Sequence, residues 1–328
     1  MFSRLAKILA STLAGLALAL SSAAAHAVLY DALFVFGDSL SDGGNAYAAT
    51  AGAIPPSPPY AQRFSNGPVA VEYLAQHFGI PLQNSLAGGT NYAFGGAETG
   101  TGNFLAHPAL ANTGLLNQVT AFAVSGTPFD PNRSLFVLWG GPNDFFALGP
   151  NPTEAQVAAA IANAIANLQS EILILAGLGA RHILVPSMAD LGDTPFGQSL
   201  GPAGMAALNA LSNAFNLGLA QLLDLLDPLL PADLIPFDTP AVVAQVVANA
   251  DAYGLLDVLN PCILVPSCVS DPQMQQHFLF WDSVHPTTRT HQILASFFAN
   301  VVPEPATPLL LGTALMILLA LRRRARMR

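Results

Sequence analysis

Two short blocks near opposite ends of the chain hold side chains that could work together in catalysis. Ser39 directly follows a Gly-Asp pair that ends the apolar run Phe34–Phe36, and Asp282 and His285 stand three positions apart. A serine hydroxyl becomes a useful nucleophile when a histidine takes its proton, and a carboxylate can orient that histidine. These residue types therefore indicate acyl transfer through a triad of Ser39, His285 and Asp282.

Acyl transfer through a serine also requires hydrogen-bond donors for the oxyanion of the tetrahedral intermediate. The candidate donors are the backbone N–H of Ser39, the backbone N–H of Gly96 and the side-chain amide of Asn143. Gly95 adjoins Gly96, so the choice between the two glycines stays open, with Gly96 preferred. Four of the candidates also have a purely structural alternative. Ser39 could be a turn residue, Asn143 a loop cap, Asp282 a capping carboxylate and His285 a structural histidine.

The elements that must position these residues follow an alternating pattern of strands and helices. Short apolar runs predict buried strands at 32–36, 92–94, 135–139, 182–185 and 234–237. Helical periodicity predicts helices at about 68–78, 113–124, 153–176, 202–227, 239–250 and 287–300. This alternation indicates an α/β fold with a parallel sheet covered on both faces. Ligands of such sheets bind at the carboxyl ends of the strands, where Ser39, Gly96 and Asn143 are expected.

Residues 46–66 interrupt this pattern. The prolines between Ile54 and Tyr60 exclude a helix and a central strand, so we expect a long surface loop directly after Ser39. Such a loop would border the site, but its role there stays open.

Charge and cysteine content limit the possible partners. Residues 28–302 contain four arginines, no lysine and 19 acidic residues, a net charge near −15. Such a body repels nucleic acid and anionic membrane surfaces. Cys262 and Cys268 are the only cysteines. Their even number and close spacing favour a disulfide in an exported protein, with two buried thiols as the alternative, and they make a poor metal site.

The two ends of the chain predict export and membrane contact. Residues 1–27 combine a basic start, an apolar stretch and Ala25-His26-Ala27, which is typical of a cleaved signal peptide. A membrane anchor is the alternative reading. Residues 306–321 are apolar, and an arginine cluster follows them. This pattern predicts a transmembrane helix with its end in the cytoplasm, or otherwise an amphipathic tail. The body 28–302 reads as one domain.

Four sequence blocks resemble those of the GDSL esterase/lipase family in the SGNH hydrolase superfamily: 37–40, 91–97, 141–144 and 282–285. The resemblance implies a flavodoxin-like, three-layer α/β/α sandwich with five parallel strands. It also implies that no metal or cofactor is needed. Position by position, it implies catalytic roles for Ser39, Asp282 and His285, and an oxyanion hole of Ser39, Gly96 and Asn143.

The C-terminal residues 303–328 resemble the PEP-CTERM sorting signal of Gram-negative bacteria. They contain Pro303-Glu304-Pro305, an apolar helix and a basic end in that order. The resemblance implies that exosortase cuts this tail, and signal peptidase is the partner expected for residues 1–27. It also implies transient anchoring in the inner membrane and a final location at the cell surface or in the extracellular matrix.

Together these features predict a secreted serine hydrolase that cleaves carboxylic esters, an esterase or lipase, through an acyl-enzyme on Ser39. An acyltransferase or a polysaccharide O-deacetylase on the same fold is the alternative, and a non-catalytic surface or matrix protein is a more distant one. The acyl-chain length, the natural alcohol and the oligomeric state stay open.

Overall fold

Four parallel strands, adjacent in chain order, form the central sheet of the protein. The computed structural model describes residues 30–303, so the predicted signal peptide and all but the first residue of the predicted tail lie outside the described residues. The strands are hydrogen-bonded in the order β1-β2-β3-β4. Their bounds are β1 Ala32–Gly37, β2 Ser134–Trp139, β3 His182–Pro186 and β4 Asp233–Phe237.

Eleven helices are found within residues 30–303, and the six predicted ones are among them. They are α1 Asn45–Ala49, α2 Ala70–Phe78, α3 Leu115–Ser125, α4 Pro142–Phe146, α5 Glu154–Leu178, α6 Pro195–Ser199, α7 Gly201–Leu226, α8 Thr239–Ala248, α9 Pro266–Ser270, α10 Pro272–Gln275 and α11 Thr288–Val301. Short 3₁₀ turns occur at Ser85–Ala87, Pro108–Leu110, Leu191–Asp193, Asp227–Leu229, Ala250–Tyr253 and Cys262–Leu264.

The helices cover both faces of the sheet, because successive side chains of each strand point to opposite sides. Phe34 and Phe136 pack into a core with residues of α3, α5 and α7 on one face. On the other face the ring of Phe298, from α11, lies 5.5 Å from Trp139 and 4.5 Å from Phe237. Helix α11 also contacts α2. The predicted α/β layering with a parallel sheet is therefore confirmed.

The predicted five-stranded sheet is wrong in its strand count. Tyr92–Phe94 does not form a strand, although residues 90–94 run beside β1. Tyr92 N–H donates to the Val35 carbonyl (2.7 Å) and Phe94 N–H to the Gly37 carbonyl (3.1 Å). The segment is too short and turns away at Gly95-Gly96, so no regular ladder develops.

A separate two-stranded sheet was not predicted. It pairs β5 (Asp257–Pro261) with β6 (Phe278–Phe280) in parallel. The structure joins Cys262, just after β5, to Cys268 in a disulfide. Both cysteines belong to one buried cluster with Trp281, and Ile263 N–H donates to the Trp281 carbonyl at 2.9 Å. This small unit therefore supports the residue directly before Asp282.

Candidate active site

A tight turn after β1 holds Ser39 at the rim of the sheet. A side chain at Gly37 would place its Cβ 2.6 Å from the Trp139 carbonyl oxygen, so this strand end requires glycine. The Gln118 side chain clamps the same residue, accepting from Gly37 N–H at 2.8 Å and donating to its carbonyl at 2.9 Å. The chain then turns, and Ser41 and Asp42 donate their N–H groups to the Asp38 carbonyl.

The structure brings Ser39, His285 and Asp282 into one hydrogen-bonded line. His285 Nε2 lies 2.8 Å from Ser39 Oγ, across 246 positions of sequence. His285 Nδ1 lies 2.7 Å from Asp282 Oδ2. These distances are within the reach that a nucleophile, a general base and an orienting carboxylate need.

The segment that carries His285 is held from both sides. Trp281 N–H donates to the His285 carbonyl at 2.8 Å, which closes the turn around Asp282. Ser65 Oγ donates to the Pro286 carbonyl at 2.8 Å, and Thr288 N–H donates to Asn66 Oδ1 at 2.8 Å. The turn therefore depends on residues from the other end of the chain.

Burial and neighbouring charges have opposite effects on the pKa of each member of the Asp282–His285 dyad. Burial disfavours the charged form of Asp282, but the His285 charge, its hydrogen bond and two backbone N–H groups lower the Asp282 pKa to about 2. Burial also disfavours the His285 imidazolium, but the charges of Asp282 and Asp38 and the Asp282 hydrogen bond raise the His285 pKa above its ordinary 6.5. Burial raises the pKa of Asp38 to about 6.

The raised pKa of His285 sets an expected pH dependence. His285 accepts the Ser39 proton only as neutral imidazole, so we expect kcat/KM to rise with pH through an apparent pKa above 6.5 and then level off. A pH–rate profile with a neutral ester at constant ionic strength measures this. A kcat/KM that falls between pH 6 and pH 8 would contradict it.

The hydrogen bonds around the two adjacent glycines favour Gly96 as the oxyanion donor. Gly95 N–H is already used, because it donates to Asp42 Oδ2 at 2.8 Å. The backbone N–H groups of Gly96 and Ser39 have no hydrogen-bond partner within residues 30–303. Gly96 has a φ of 77°, a conformation that glycine adopts without strain. Ser39 and Gly96 both line one cavity.

Asn143 lies on the same cavity wall, in the first turn of α4. One amide hydrogen of its side chain is donated to the Ala97 carbonyl at 2.9 Å, which fixes the amide and leaves the second hydrogen for a ligand. Asn143→Ala should lower kcat about 100- to 1000-fold with little change in thermal unfolding. Asn167→Ala is the matched control, because Asn167 Nδ2 donates to Thr99 at 3.1 Å away from the cavity. Equal effects of the two substitutions on kcat would contradict an oxyanion role.

The cavity in front of Ser39 is large and has mostly apolar walls. Its volume is about 1660 Å³, above the range usual for small-molecule sites. Helices α4, α5, α7 and α8 all contribute to the walls, which include Phe104, Phe145, Phe146, Ile161, Leu208 and Val243. Ser39, His285 and Asn143 line the same space.

Two acidic residues, Asp42 and Asp144, hold the loops of the site. Asp42 accepts N–H groups from Gly44, Asn45, Ala46 and Gly95, which ties the Ser39 turn to the glycine loop. Asp144 accepts from the N–H and hydroxyl of Thr99.

Between residues 30 and 303, no cluster of three or more His, Cys, Asp or Glu side chains is arranged to bind a metal ion.

Sequence reasoning missed two aromatic residues from the 46–66 segment. The segment begins with α1 and then brings its Tyr60 hydroxyl within 2.7 Å of Asp282 Oδ2. The Phe64 ring lies 5.3 Å from the His285 ring. The expected proline-rich loop at 46–66 was the signal for this region, but nothing local pointed to Tyr60 or Phe64. The segment thus borders the site, as expected, and also contacts the dyad.

Comparisons with known proteins identify the family. The GDSL-like Lipase/Acylhydrolase family profile matches residues 33–298. An uncharacterized protein from the trpE-trpG intergenic region of Pseudomonas putida is 30% identical, over 92% of this chain and 53% of that protein. Lipase 1 of Photorhabdus luminescens is 29% identical, over 90% of this chain and 54% of that protein. The chain therefore spans about half the length of these two relatives.

Two further comparisons cover more of the matched protein. The phosphatidylcholine-sterol acyltransferase of Aeromonas hydrophila is 28% identical, over 83% of this chain and 90% of that protein. Among solved structures, the acetylxylan esterase Axe2 of Geobacillus stearothermophilus gives a TM-score of 0.46 at 16% identity, over 84% of this chain and 95% of that one. With a family match over most of its length, the chain belongs to the GDSL-like lipase/acylhydrolase family.

Proposed function

We propose that this protein is a carboxylic ester hydrolase that works through an acyl-enzyme on Ser39. The observation that carries the proposal is the unbroken hydrogen-bonded line from Asp282 through His285 to Ser39, next to a mostly apolar cavity that Ser39 and His285 line. The family match supports the esterase or lipase class.

In the acylation half, Ser39 Oγ bonds to the ester carbonyl carbon while His285 Nε2 takes the hydroxyl proton. The carbonyl electron pair moves to its oxygen, which binds the N–H groups of Ser39 and Gly96 and the Asn143 amide. The bond to the alcohol then breaks, and His285 returns the proton to the leaving oxygen. Asp282 holds the imidazole and offsets its positive charge throughout.

In the deacylation half, water replaces the alcohol. His285 takes a proton from water as the water oxygen attacks the acyl carbon, and the same donors stabilise the second oxyanion. The bond to Ser39 Oγ breaks, His285 returns the proton to it, and the carboxylic acid leaves.

The volume and apolar walls of the cavity favour an ester with a medium to long acyl chain as the substrate. Each CH₂ moved from water to apolar surroundings contributes about 0.8 kcal/mol, so a long chain gains far more from this space than an acetyl group does. The names of the Photorhabdus and Aeromonas relatives, a lipase and a phosphatidylcholine-sterol acyltransferase, fit lipid acyl groups. The acetyl group of an acetylated polysaccharide would fill only a small part of the cavity.

Acyl transfer to an alcohol is the second candidate, favoured by the acyltransferase name of the Aeromonas relative. The acyl-enzyme is the same in both reactions, and only the acceptor differs. Product analysis in the presence of alcohols or sugars separates a new ester from a free acid.

A chain-length series tests the proposal. The purified protein and its Ser39→Ala variant are incubated with p-nitrophenyl esters from acetyl to palmitoyl. We expect kcat/KM to rise from acetyl to octanoyl or beyond, and turnover to be lost in the variant. A maximum at acetyl would favour the deacetylase alternative, and no turnover with any ester or acetylated glycan would favour a non-catalytic surface or matrix protein.

The proposal includes export and processing of the chain. Signal peptidase would remove residues 1–27, and exosortase would cut near Pro303–Pro305 after transient inner-membrane anchoring in a Gram-negative cell. The Cys262–Cys268 disulfide supports an oxidising destination such as the cell surface. Intact-mass analysis of the extracellular protein tests this, and a mass that still includes residues 306–328 would contradict it.

A further inference from the structure

Tyr60 contacts the carboxylate of the triad from a distant part of the sequence. Its hydroxyl donates to Asp282 Oδ2 at 2.7 Å, across 222 positions. His285 Nδ1 binds the same oxygen at the same distance. The Tyr60 ring packs edge-on against Trp281, with 6.2 Å between ring centroids and 82° between planes. Trp281 is buried and directly precedes Asp282 in sequence. It therefore orients the Tyr60 ring and also supports the residue that accepts the Tyr60 hydroxyl.

The two oxygens of Asp282 are held by different kinds of donor. Oδ1 accepts the backbone N–H groups of Val284 at 2.9 Å and His285 at 2.7 Å, which are fixed by the turn. Oδ2 accepts from His285 and Tyr60, and these are its only hydrogen bonds within residues 30–303. Tyr60 is thus the one donor, other than the catalytic imidazole itself, on the oxygen that faces the imidazole.

The Tyr60 hydroxyl remains a donor at working pH. Burial and the charge and hydrogen bond of Asp282 raise the Tyr60 pKa above its ordinary 10. A donor on Oδ2 withdraws part of the negative charge from that oxygen, and the carboxylate then attracts a proton on His285 less strongly. The other titratable groups whose charges act here are Asp38, after β1, and His291 on α11. Burial lowers the His291 pKa to about 3, so His291 stays neutral.

We propose that Tyr60 is a positioning residue of the triad, which orients the Asp282 carboxylate toward His285 and shares its negative charge. This inference rests on the proposed function, because it assigns Tyr60 a part in the same proton transfer. The hydroxyl touches no reacting atom and acts only through Asp282. It also gives the 46–66 segment a role beyond bordering the cavity.

Tyr60→Phe in the full-length protein tests the inference, because it removes the hydroxyl and retains the ring against Trp281. We expect kcat/KM above pH 8 to fall about five- to tenfold, through kcat and not KM, because a hydrogen bond to a charged carboxylate is lost. We also expect the acid limb of the pH profile to move up by about half a pH unit, because the carboxylate regains charge. Asp38 and His291 are present in both proteins, so the shift reports Tyr60 alone.

Tyr73→Phe is the matched control. Its hydroxyl makes a hydrogen bond of the same length, 2.7 Å, to Thr288 Oγ1 at the start of α11, and it does not touch Asp282. We expect this variant to keep the wild-type pH profile even if its thermal unfolding changes. Equal losses of kcat in the two variants without a pH shift in either would overturn the inference, since they would report only a structural role.

A measurement without substrate separates this inference from the proposed function. The His285 imidazole is titrated by NMR in wild type and in Tyr60→Phe. A His285 pKa that rises in the variant supports the inference whether or not any ester is turned over. An unchanged His285 pKa overturns it even if wild type proves to be an active esterase, whereas absence of turnover in wild type overturns only the proposed function.

Discussion

Replacing Ser39 with alanine is expected to lower kcat for ester hydrolysis by a factor on the order of 10⁵ to 10⁶. The acyl-enzyme requires Oγ, and alanine has no atom that can take its place. The variant should still fold, because within residues 30–303 Ser39 Oγ makes one hydrogen bond, to His285 Nε2, and the turn is built from backbone contacts and Asp38. It should also still bind substrate, because the N–H of residue 39 and the cavity are retained.

The matched control for this substitution is Ser41→Ala. Ser41 lies two residues away, and its buried Oγ has no hydrogen-bond partner within residues 30–303. Loss of that hydroxyl should leave kcat unchanged. Turnover is measured with a p-nitrophenyl ester in a stopped assay. Adduct formation is measured as the mass of the protein after treatment with a serine-directed phosphonate. Turnover by Ser39→Ala within tenfold of wild type would exclude Ser39 as the nucleophile.

Asp282→Asn is expected to lower kcat about 10⁴-fold, although it only replaces one carboxylate oxygen with an NH₂ group. The backbone N–H groups of Val284 and His285 require an acceptor at Oδ1, so the amide oxygen must take that place. The NH₂ group then faces His285 Nδ1, which becomes an acceptor. The proton of neutral imidazole moves to Nε2, and that nitrogen can no longer accept the proton of Ser39.

Asp257→Asn gives a control with the same local geometry. The Asp257 carboxylate also accepts two backbone N–H groups, from Leu259 at 3.0 Å and Asn260 at 2.8 Å, but no histidine lies on its other oxygen. We expect its kcat to equal that of wild type, whereas thermal unfolding in both variants reports any loss of turn stability. A similar kcat for Asp282→Asn and Asp257→Asn would contradict an orienting role for Asp282.

Much of the candidate site was predictable because its residues carry local signals. Ser39 stands where an apolar strand meets a Gly-Asp turn, and Asp282 and His285 lie within one turn of each other. The four sheet strands were likewise visible as short apolar runs, because a strand buried on both faces must be apolar throughout. These features depend on neighbours in sequence, and sequence patterns report such neighbours.

The remainder depends on contacts between distant residues. The choice of Gly96 over Gly95 follows from a hydrogen bond to Asp42, 53 positions earlier. Tyr60 reaches Asp282 across 222 positions, and Gln118 reaches Gly37 across 81. Residues 92–94 and the three-residue strand β6 are too short for a periodic pattern, so only their tertiary partners decide their state. No local signal identifies such contacts.

The two halves of the candidate active site come from opposite ends of the folded unit. Ser39 follows its first strand, His285 precedes its last helix, and Ser65 and Asn66 fasten the histidine segment in place from the early part of the chain. A nascent chain therefore has the proposed nucleophile without its base. Contacts this far apart form late, since the intervening chain must first be ordered. Ester turnover is consequently a stringent indicator that folding has finished, and activity in a refolding experiment should appear after helical structure has already formed.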